Sequence, residues 1–191
     1  MRLTPRASLI LASRSPQRRA ILRQLGIAFS VQVPGVDELE SGPPAEVAAE
    51  NAYRKAAAVT AAAPAGVPVL GVDTLVTLGT RIYGKPADAS TARATLVALS
   101  GRRHAVISGL CLISDARVRT ALVTTVVEFR TLEDALIEWY LDTGEWRERA
   151  GGYAIQGRGA ALVAGVQGDY LNVVGLPVAR LLDLAPALLG T

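Results

Sequence analysis

The sequence predicts an α/β protein with a mixed β-sheet, and three observations carry that prediction. Short apolar runs alternate with helical stretches through the first hundred residues. Two long strand-like runs then follow one another, Arg103 to Ser114 and Val118 to Arg130, joined by a turn near Asp115-Ala116, which reads as an antiparallel hairpin. Finally, half of the 191 residues are apolar and 19% are charged, the balance of a folded globular chain.

The elements follow in order. Ser8 to Ala12 (S-L-I-L-A) is a buried strand. Ser15 is a suitable N-cap and Pro16 a suitable first residue for the next helix, whose inner side is Ile21, Leu22 and Leu25 and which ends at Gly26. Phe29 to Val33 is a short strand, and Gly35 to Pro44 a loop carrying Asp37, Glu38 and Glu40. Ala45 to Ala63 is an alanine-rich helix in which Ala48, Ala52, Lys55 and Val59 share a face. A lysine on that face either extends its stem to reach solvent or reaches over a cleft toward an anion.

Val67 to Leu78 is an apolar strand interrupted by Asp73. A two-residue turn at Gly79-Thr80 would pair Leu78 with Arg81 and bring Lys85 opposite Thr74, close to Asp73 but one step off its face. Asp88 to Leu99 is a helix with Ala92, Leu96 and Leu99 inward, stopped by Ser100-Gly101. Glu133 to Leu141 is a helix with Leu136, Trp139 and Tyr140 inward. A glycine-rich stretch from Gly151 to Gly159 precedes a strand at Ala160 to Val166, and Pro177 to Leu189 closes the chain as a helix. No repeat, low-complexity tract or linker interrupts residues 1–191, so one domain is expected.

Composition excludes several function classes. A single cysteine, Cys111, allows no intrachain disulfide and no cysteine-based metal cluster, and its strand context makes it a core residue. A single histidine, His104, rules out sites that need two. A net charge of +3 without dense Lys/Arg blocks suits a small anionic substrate and makes nucleic acid an unlikely partner. No apolar run reaches transmembrane length and no secretory leader is evident, so a cytoplasmic location with no membrane partner is expected.

The chemistry-bearing residues start with Asp73. An unpaired charge in a buried strand costs several kcal/mol, roughly, so a carboxylate kept there is paired, metal-bound or protonated. Ser13-Arg-Ser-Pro-Gln-Arg-Arg19 lies at a strand-to-helix junction, where free backbone N–H groups, hydroxyls and arginines favour anions; an ordinary capped helix with solvated arginines fits the same residues. The P-loop pattern is absent. Gly157-Arg-Gly159 lacks the third glycine of a dinucleotide fingerprint, since Leu162 stands there, and no G-x-S-x-G elbow supports a serine triad. The Gly151–Gly159 loop is open to two readings: a tight turn, or a backbone that approaches a flat ligand with the Gln156 amide reading a base edge. Glu38 is a solvated loop carboxylate or, with Asp73, part of an oxygen-ligand site for Mg²⁺ or Mn²⁺.

These features occur in one order along the chain. They include Ala12-Ser-Arg-Ser-Pro-Gln-Arg-Arg19, Gly71-Val-Asp-Thr74, Gly84-Lys-Pro86, Leu99-Ser-Gly101, Ala150-Gly-Gly-Tyr-Ala-Ile-Gln-Gly157 and Gly168-Asp-Tyr170. Together they resemble the Maf family of nucleoside triphosphate pyrophosphatases, over nearly the whole chain from Ile10 to Val178. The resemblance implies a two-lobed mixed-sheet fold with a central cleft, related to the inosine triphosphate pyrophosphatases. It implies cleavage between the α- and β-phosphates of a nucleoside triphosphate, with a divalent metal cation, Mg²⁺ or Mn²⁺, and a homodimer. It marks Asp73 as catalytic base and Glu38 as its acidic partner at the metal. It matches Ser13, Arg18, Lys55 and Lys85 to phosphate-handling positions, and Thr74 and Gln156 to base choice of the dTTP/UTP branch. Gln17 departs from the family's usual arginine at a position tied to that choice; it keeps hydrogen bonding but loses charge and the bidentate fork. The family's association with arrest of septum formation leaves a second reading, a nucleotide-binding regulator without turnover, and hydrolysis of another phosphoanhydride is a third.

Overall fold

The computed structural model describes residues 9–115 and 117–189. The strand start at Ser8 and the turn residue Ala116 lie outside the described residues. The elements are β1 (Leu9–Ala12), α1 (Pro16–Gln24), β2 (Phe29–Val31), α2 (Pro44–Thr60), β3 (Val69–Leu78), β4 (Arg81–Tyr83), α3 (Ala89–Leu99), β5 (Arg103–Ser114), β6 (Arg117–Phe129), α4 (Asp134–Asp142), β7 (Val163–Gln167), α5 (Tyr170–Val174) and α6 (Val178–Leu184). Short 3-10 turns at Ala150–Gly152, Arg158–Leu162 and Pro186–Leu189 complete the order. Among the described residues no helix is long and apolar enough to cross a membrane.

The strands form one mixed seven-stranded sheet in the order β2-β1-β3-β5-β6-β7, with β4 also on β3. β1 runs parallel to both β2 and β3, whereas β3, β5, β6 and β7 pair antiparallel in sequence. One edge of β3 is paired with β5 from Val69 to Thr77 without interruption. The other edge is shared: β1 pairs with Val69 to Gly71, and β4 pairs with Val76 to Leu78. Residues 72–75 are therefore bare on that edge, and the sheet has a notch in the middle of β3.

The core divides along the same notch. Val76, Tyr83, Leu96, Phe129, Ile137, Tyr140 and Trp146 belong to a cluster on the β4 side, while Leu9, Leu11, Leu22, Leu70, Val72, Leu110 and Leu181 pack on the β1 side. Two lobes thus share the long strands β3, β5 and β6. A third, smaller cluster under α2 is built from Ile10, Ala52, Ala56, Val59, Val69 and Cys111. Burial pushes the Cys111 thiol up to about 11, which keeps it protonated and inert as a core group.

Helix α2 lies unusually close to the sheet, because the strands beneath it carry glycine. A Cβ at Gly71 would collide with the Ala52 carbonyl oxygen, and one at Gly109 with that of Ala48. The alanines of α2 and these two glycines together remove the side chains that would otherwise hold helix and sheet apart. This close seating delivers Asn51 and Lys55 to β3.

Several sequence expectations need correction. In α4 it is Ile137 and Tyr140 that are buried, while Trp139 is 46% exposed, because the helix is rotated to set Ile137 on the core. The strand expected from Ala160 starts at Val163, since residues 158–162 wind into a 3-10 turn. The closing helix stops at Leu184 and restarts as a 3-10 turn at Pro186, a residue that cannot continue an α-helical ladder. Helix α5 escaped prediction; Asp169 caps it by accepting from the N–H groups of Leu171 and Asn172.

Candidate active site at the notch in the sheet

Asp73 and Thr74 sit in the bare stretch of β3, and alternation sends them to opposite faces. On the α2 face, Asp73 is 5% exposed. Its Oδ1 accepts from Lys55 Nζ at 2.6 Å and its Oδ2 from Asn51 Nδ2 at 3.2 Å. Both donors come from the α2 face that the glycines bring close, one turn apart, as i and i+4. The Lys55 ammonium also reaches Glu38 Oε2 at 3.0 Å, although Glu38 itself is half exposed. Asn51 explains why that loop carboxylate stays in place: its amide accepts from Leu39 N at 2.7 Å and donates to Leu39 O at 3.0 Å. One asparagine thus fixes the loop next to Glu38 and touches Asp73.

On the other face a second network is organised around Arg18, which is 8% exposed. Its Nε donates to Gly175 O at 2.8 Å, one terminal nitrogen to Ser13 Oγ at 3.0 Å and the other to Thr74 Oγ1 at 3.0 Å. Thr74 Oγ1 lies 2.9 Å from Ser108 Oγ, directly across the β3–β5 ladder. Burial lowers the Arg18 pKa from its ordinary value, and the charges of Asp73 and Glu38 pull it back up. The guanidinium is charged in any case. Of its five N–H donors, three are committed to the protein, which leaves two for an incoming anion.

The structure thus brings Asp73, Glu38 and Lys55 into direct contact, and Ser13, Arg18 and Thr74 into another set beside them. Gln17 stands at the start of α1, where its Oε1 accepts from Ser15 Oγ at 3.1 Å. Ser15 caps the helix by accepting from Arg18 N, as its position suggested. Gln156 is exposed on the glycine-rich loop. That loop is anchored from behind: Ala154 N donates to the Tyr140 hydroxyl at 2.9 Å, and Tyr153 OH pairs with His104 Nε2 at 2.9 Å. Lys85 does not stand on Asp73. The ladder register predicted for the hairpin holds from Leu78–Arg81 to Val76–Tyr83 and then ends, and the Lys85 ammonium pairs with Glu148 at 3.0 Å.

Sequence reasoning missed Asn51, Ser108 and Glu148. Asn51 sits four residues before Lys55 on the same predicted helical face, so its place on that face was available from periodicity. Ser108 and Glu148 come close only through strand register and loop path, which no local pattern encodes.

A family model described as Maf-like protein matches residues 8–188 of the chain. The dTTP/UTP pyrophosphatase of Symbiobacterium thermophilum is 48% identical over 178 residues, covering 92% of this chain and 91% of that protein. The dTTP/UTP pyrophosphatase of Pyrococcus furiosus is 44% identical over 177 residues, covering 92% and 93%. That of Anaeromyxobacter dehalogenans is 47% identical over 178 residues, covering 90% and 89%. Among solved structures, the Staphylococcus aureus Ham1 protein superposes with a TM-score of 0.44 at 17% identity, over 63% of this chain and 71% of that one, a likeness too distant to carry an argument.

Proposed function

The chain belongs to the Maf family, and from that premise we propose that it is a nucleoside triphosphate pyrophosphatase acting on dTTP and UTP. The observation that carries the proposal is the buried Asp73 carboxylate at the notch, held by Lys55 and Asn51 with Glu38 beside it. A carboxylate fixed by two donors at the bare edge of a strand is an oriented base, not a packing accident. Asp73 takes the proton of a water as its oxygen bonds to phosphorus. The bridging P–O bond between the α- and β-phosphates breaks, and pyrophosphate leaves with the electron pair. Arg18, Lys55 and Lys85 neutralise the phosphate oxygens, which is where most of the barrier to phosphoryl transfer is lowered. Ser13 and Thr74 aim the Arg18 fork by accepting from its two terminal nitrogens, one each.

A divalent cation, Mg²⁺ or Mn²⁺, fits the donor chemistry of this cluster, because both carboxylates are hard oxygen ligands. Asp73 and Glu38, the two carboxylates that meet on Lys55, would hold it. Such an ion supplies charge neutralisation and a more acidic water. Lys55, which contacts both carboxylates, would share them with the ion. Thr74, Gln17 and Gln156 are the residues proposed to choose the base. Gln17 would do so by hydrogen bonding without a charge. We expect a cytoplasmic homodimer; light scattering at micromolar concentration tests the oligomer.

The test is pyrophosphate release by the purified protein with Mg²⁺ or Mn²⁺, across standard and modified triphosphates, beside Asp73→Asn. Release from dTTP and UTP that falls by about 10³-fold or more in the variant is the expected outcome. An Asp73→Asn protein with near wild-type turnover removes Asp73 from its role. Tight nucleotide binding with no release from any triphosphate replaces the enzyme with a binding regulator.

A further inference from the structure

Lys85 is not waiting free for phosphate; its ammonium is held by Glu148, with both side chains mostly exposed. Glu148 itself has φ +58, the left-handed region that a residue with a long side chain seldom adopts. Strained backbone in a folded protein persists where the surroundings impose it and clusters at functional sites. Here the surroundings are identifiable. Three residues on, Gly151 N donates to Gly84 O at 3.1 Å, so the segment after Glu148 is bonded to the residue just before Lys85. The carboxylate is thus placed on Lys85 by the main chain, not by a mobile loop meeting it by chance.

The Glu148 carboxylate is held below the ordinary glutamate pKa. Its acidity is increased first by the hydrogen bond and charge of Lys85, then by Arg149 and by Arg14 of the β1–α1 junction. Arg14 lies in the Ser13–Arg19 segment on the β1 side of the notch, and Lys85 follows β4 on the other side. Lys85 is the cation in contact with this carboxylate, and the charge of Arg14 is the weakest of the influences on it.

We propose that Glu148 is a positioning residue that stands in for substrate phosphate: in the free protein it holds Lys85 at the mouth of the notch, and an incoming phosphate exchanges with it. The inference rests on the phosphate role proposed for Lys85 and on the pyrophosphatase reading. An ionic pair this exposed is weak, so it orients the lysine without locking it, and a polyphosphate outbids a single carboxylate. The same exchange runs in reverse when product leaves. Glu148 retakes Lys85 and so lowers the affinity for pyrophosphate.

The experiment compares wild type, Glu148→Gln, Lys85→Gln and the double variant in steady-state dTTP hydrolysis, with inorganic pyrophosphate as product inhibitor. Gln keeps the size and backbone geometry of Glu and removes only the charge. Expected for Glu148→Gln is a KM for dTTP and an inhibition constant for pyrophosphate both lowered about two- to fivefold. Both effects should disappear when Lys85 is already Gln, and both should shrink at high salt. A Glu148→Gln protein with unchanged KM and unchanged pyrophosphate inhibition overturns the proposal, and so does an equal effect with Lys85 absent. A KM that rises together with a fall in thermal stability assigns Glu148 a structural role instead. Glu148→Asn, better suited to a positive φ, separates relief of backbone strain from loss of charge: it should lower KM as Gln does, and a rise in stability alone speaks against exchange. If wild type releases no pyrophosphate from any triphosphate, the pyrophosphatase reading fails, a result distinct from an active enzyme indifferent to Glu148.

Discussion

Two lysines of this chain meet acidic partners, and they do so in opposite environments. Lys55 is buried, bonded to a buried Asp73, and held on a helix that two glycines seat against the sheet. Lys85 is exposed, paired with an exposed glutamate at the end of a short hairpin. The interior pair has little water to replace a lost partner, so its members depend on each other. The exterior pair has water on every side, so either member can change partner at small cost. The same two residue types thus make a fixed frame in one place and an exchangeable contact in the other.

The most severe way to break this contrast is Lys55→Met. Removing one member of a buried ionic cluster leaves Asp73 without its nearest cation, and about 3–5 kcal/mol of folding stability should be lost at neutral pH. Denaturant unfolding monitored by circular dichroism measures it. Combining Lys55→Met with Asp73→Asn should recover a large part of that loss while activity stays absent, because both charges are then gone. Equal losses in the single and double variants would mean that the 2.6 Å contact is incidental to stability.

The two regions were not equally legible in the sequence. Asp73 stood out because a charge in an apolar strand needs an explanation, and Lys55 fell on a helical face by spacing. Their mutual contact depends on α2 lying against β3, which is a consequence of Gly71 and Gly109, far from Lys55 in sequence, meeting the alanines of α2. The β3–β4 register followed from turn length and holds as far as the ladder runs. It failed for Lys85 because a side chain beyond the last paired residue answers to its own surroundings, here a segment 63 residues away. Trp139 was expected inward with Leu136 and Tyr140, yet it is Ile137 and Tyr140 that the fold buries. Position along an element is local information; which partner it meets is not.

His104 extends the comparison to a buried titratable group with no counter-charge. It is 2% exposed, packed edge-on against Phe129 and Tyr153, and burial pushes its pKa from 6.5 down to about 4. The folded state therefore prefers the neutral ring, and between those two pKa values the unfolded chain binds the extra proton. Stability from this group is fully present above about pH 6.5 and is lost as pH falls toward 4. A loss of about 2–3 kcal/mol across that window is expected. His104→Gln should flatten that part of the stability–pH profile relative to wild type. Parallel profiles would show that the ring titrates normally in the fold.

The smallest expected effect belongs to the exterior pair, and it separates stability from catalysis most cleanly. Lys85→Ala should leave the unfolding midpoint within about 0.5 kcal/mol of wild type, since an exposed ion pair contributes little and water solvates Glu148 in its absence. If Lys85 neutralises phosphate oxygens in the transition state, kcat/KM should nevertheless fall about tenfold to a hundredfold. Lys55→Met would change both quantities together; Lys85→Ala should move one alone. An unchanged kcat/KM would reduce Lys85 to a surface residue and leave Arg18 and Lys55 as the cations of the site. A large stability loss would instead show that the exposed pair is part of the frame, and the contrast between a fixed interior and an exchangeable rim would collapse.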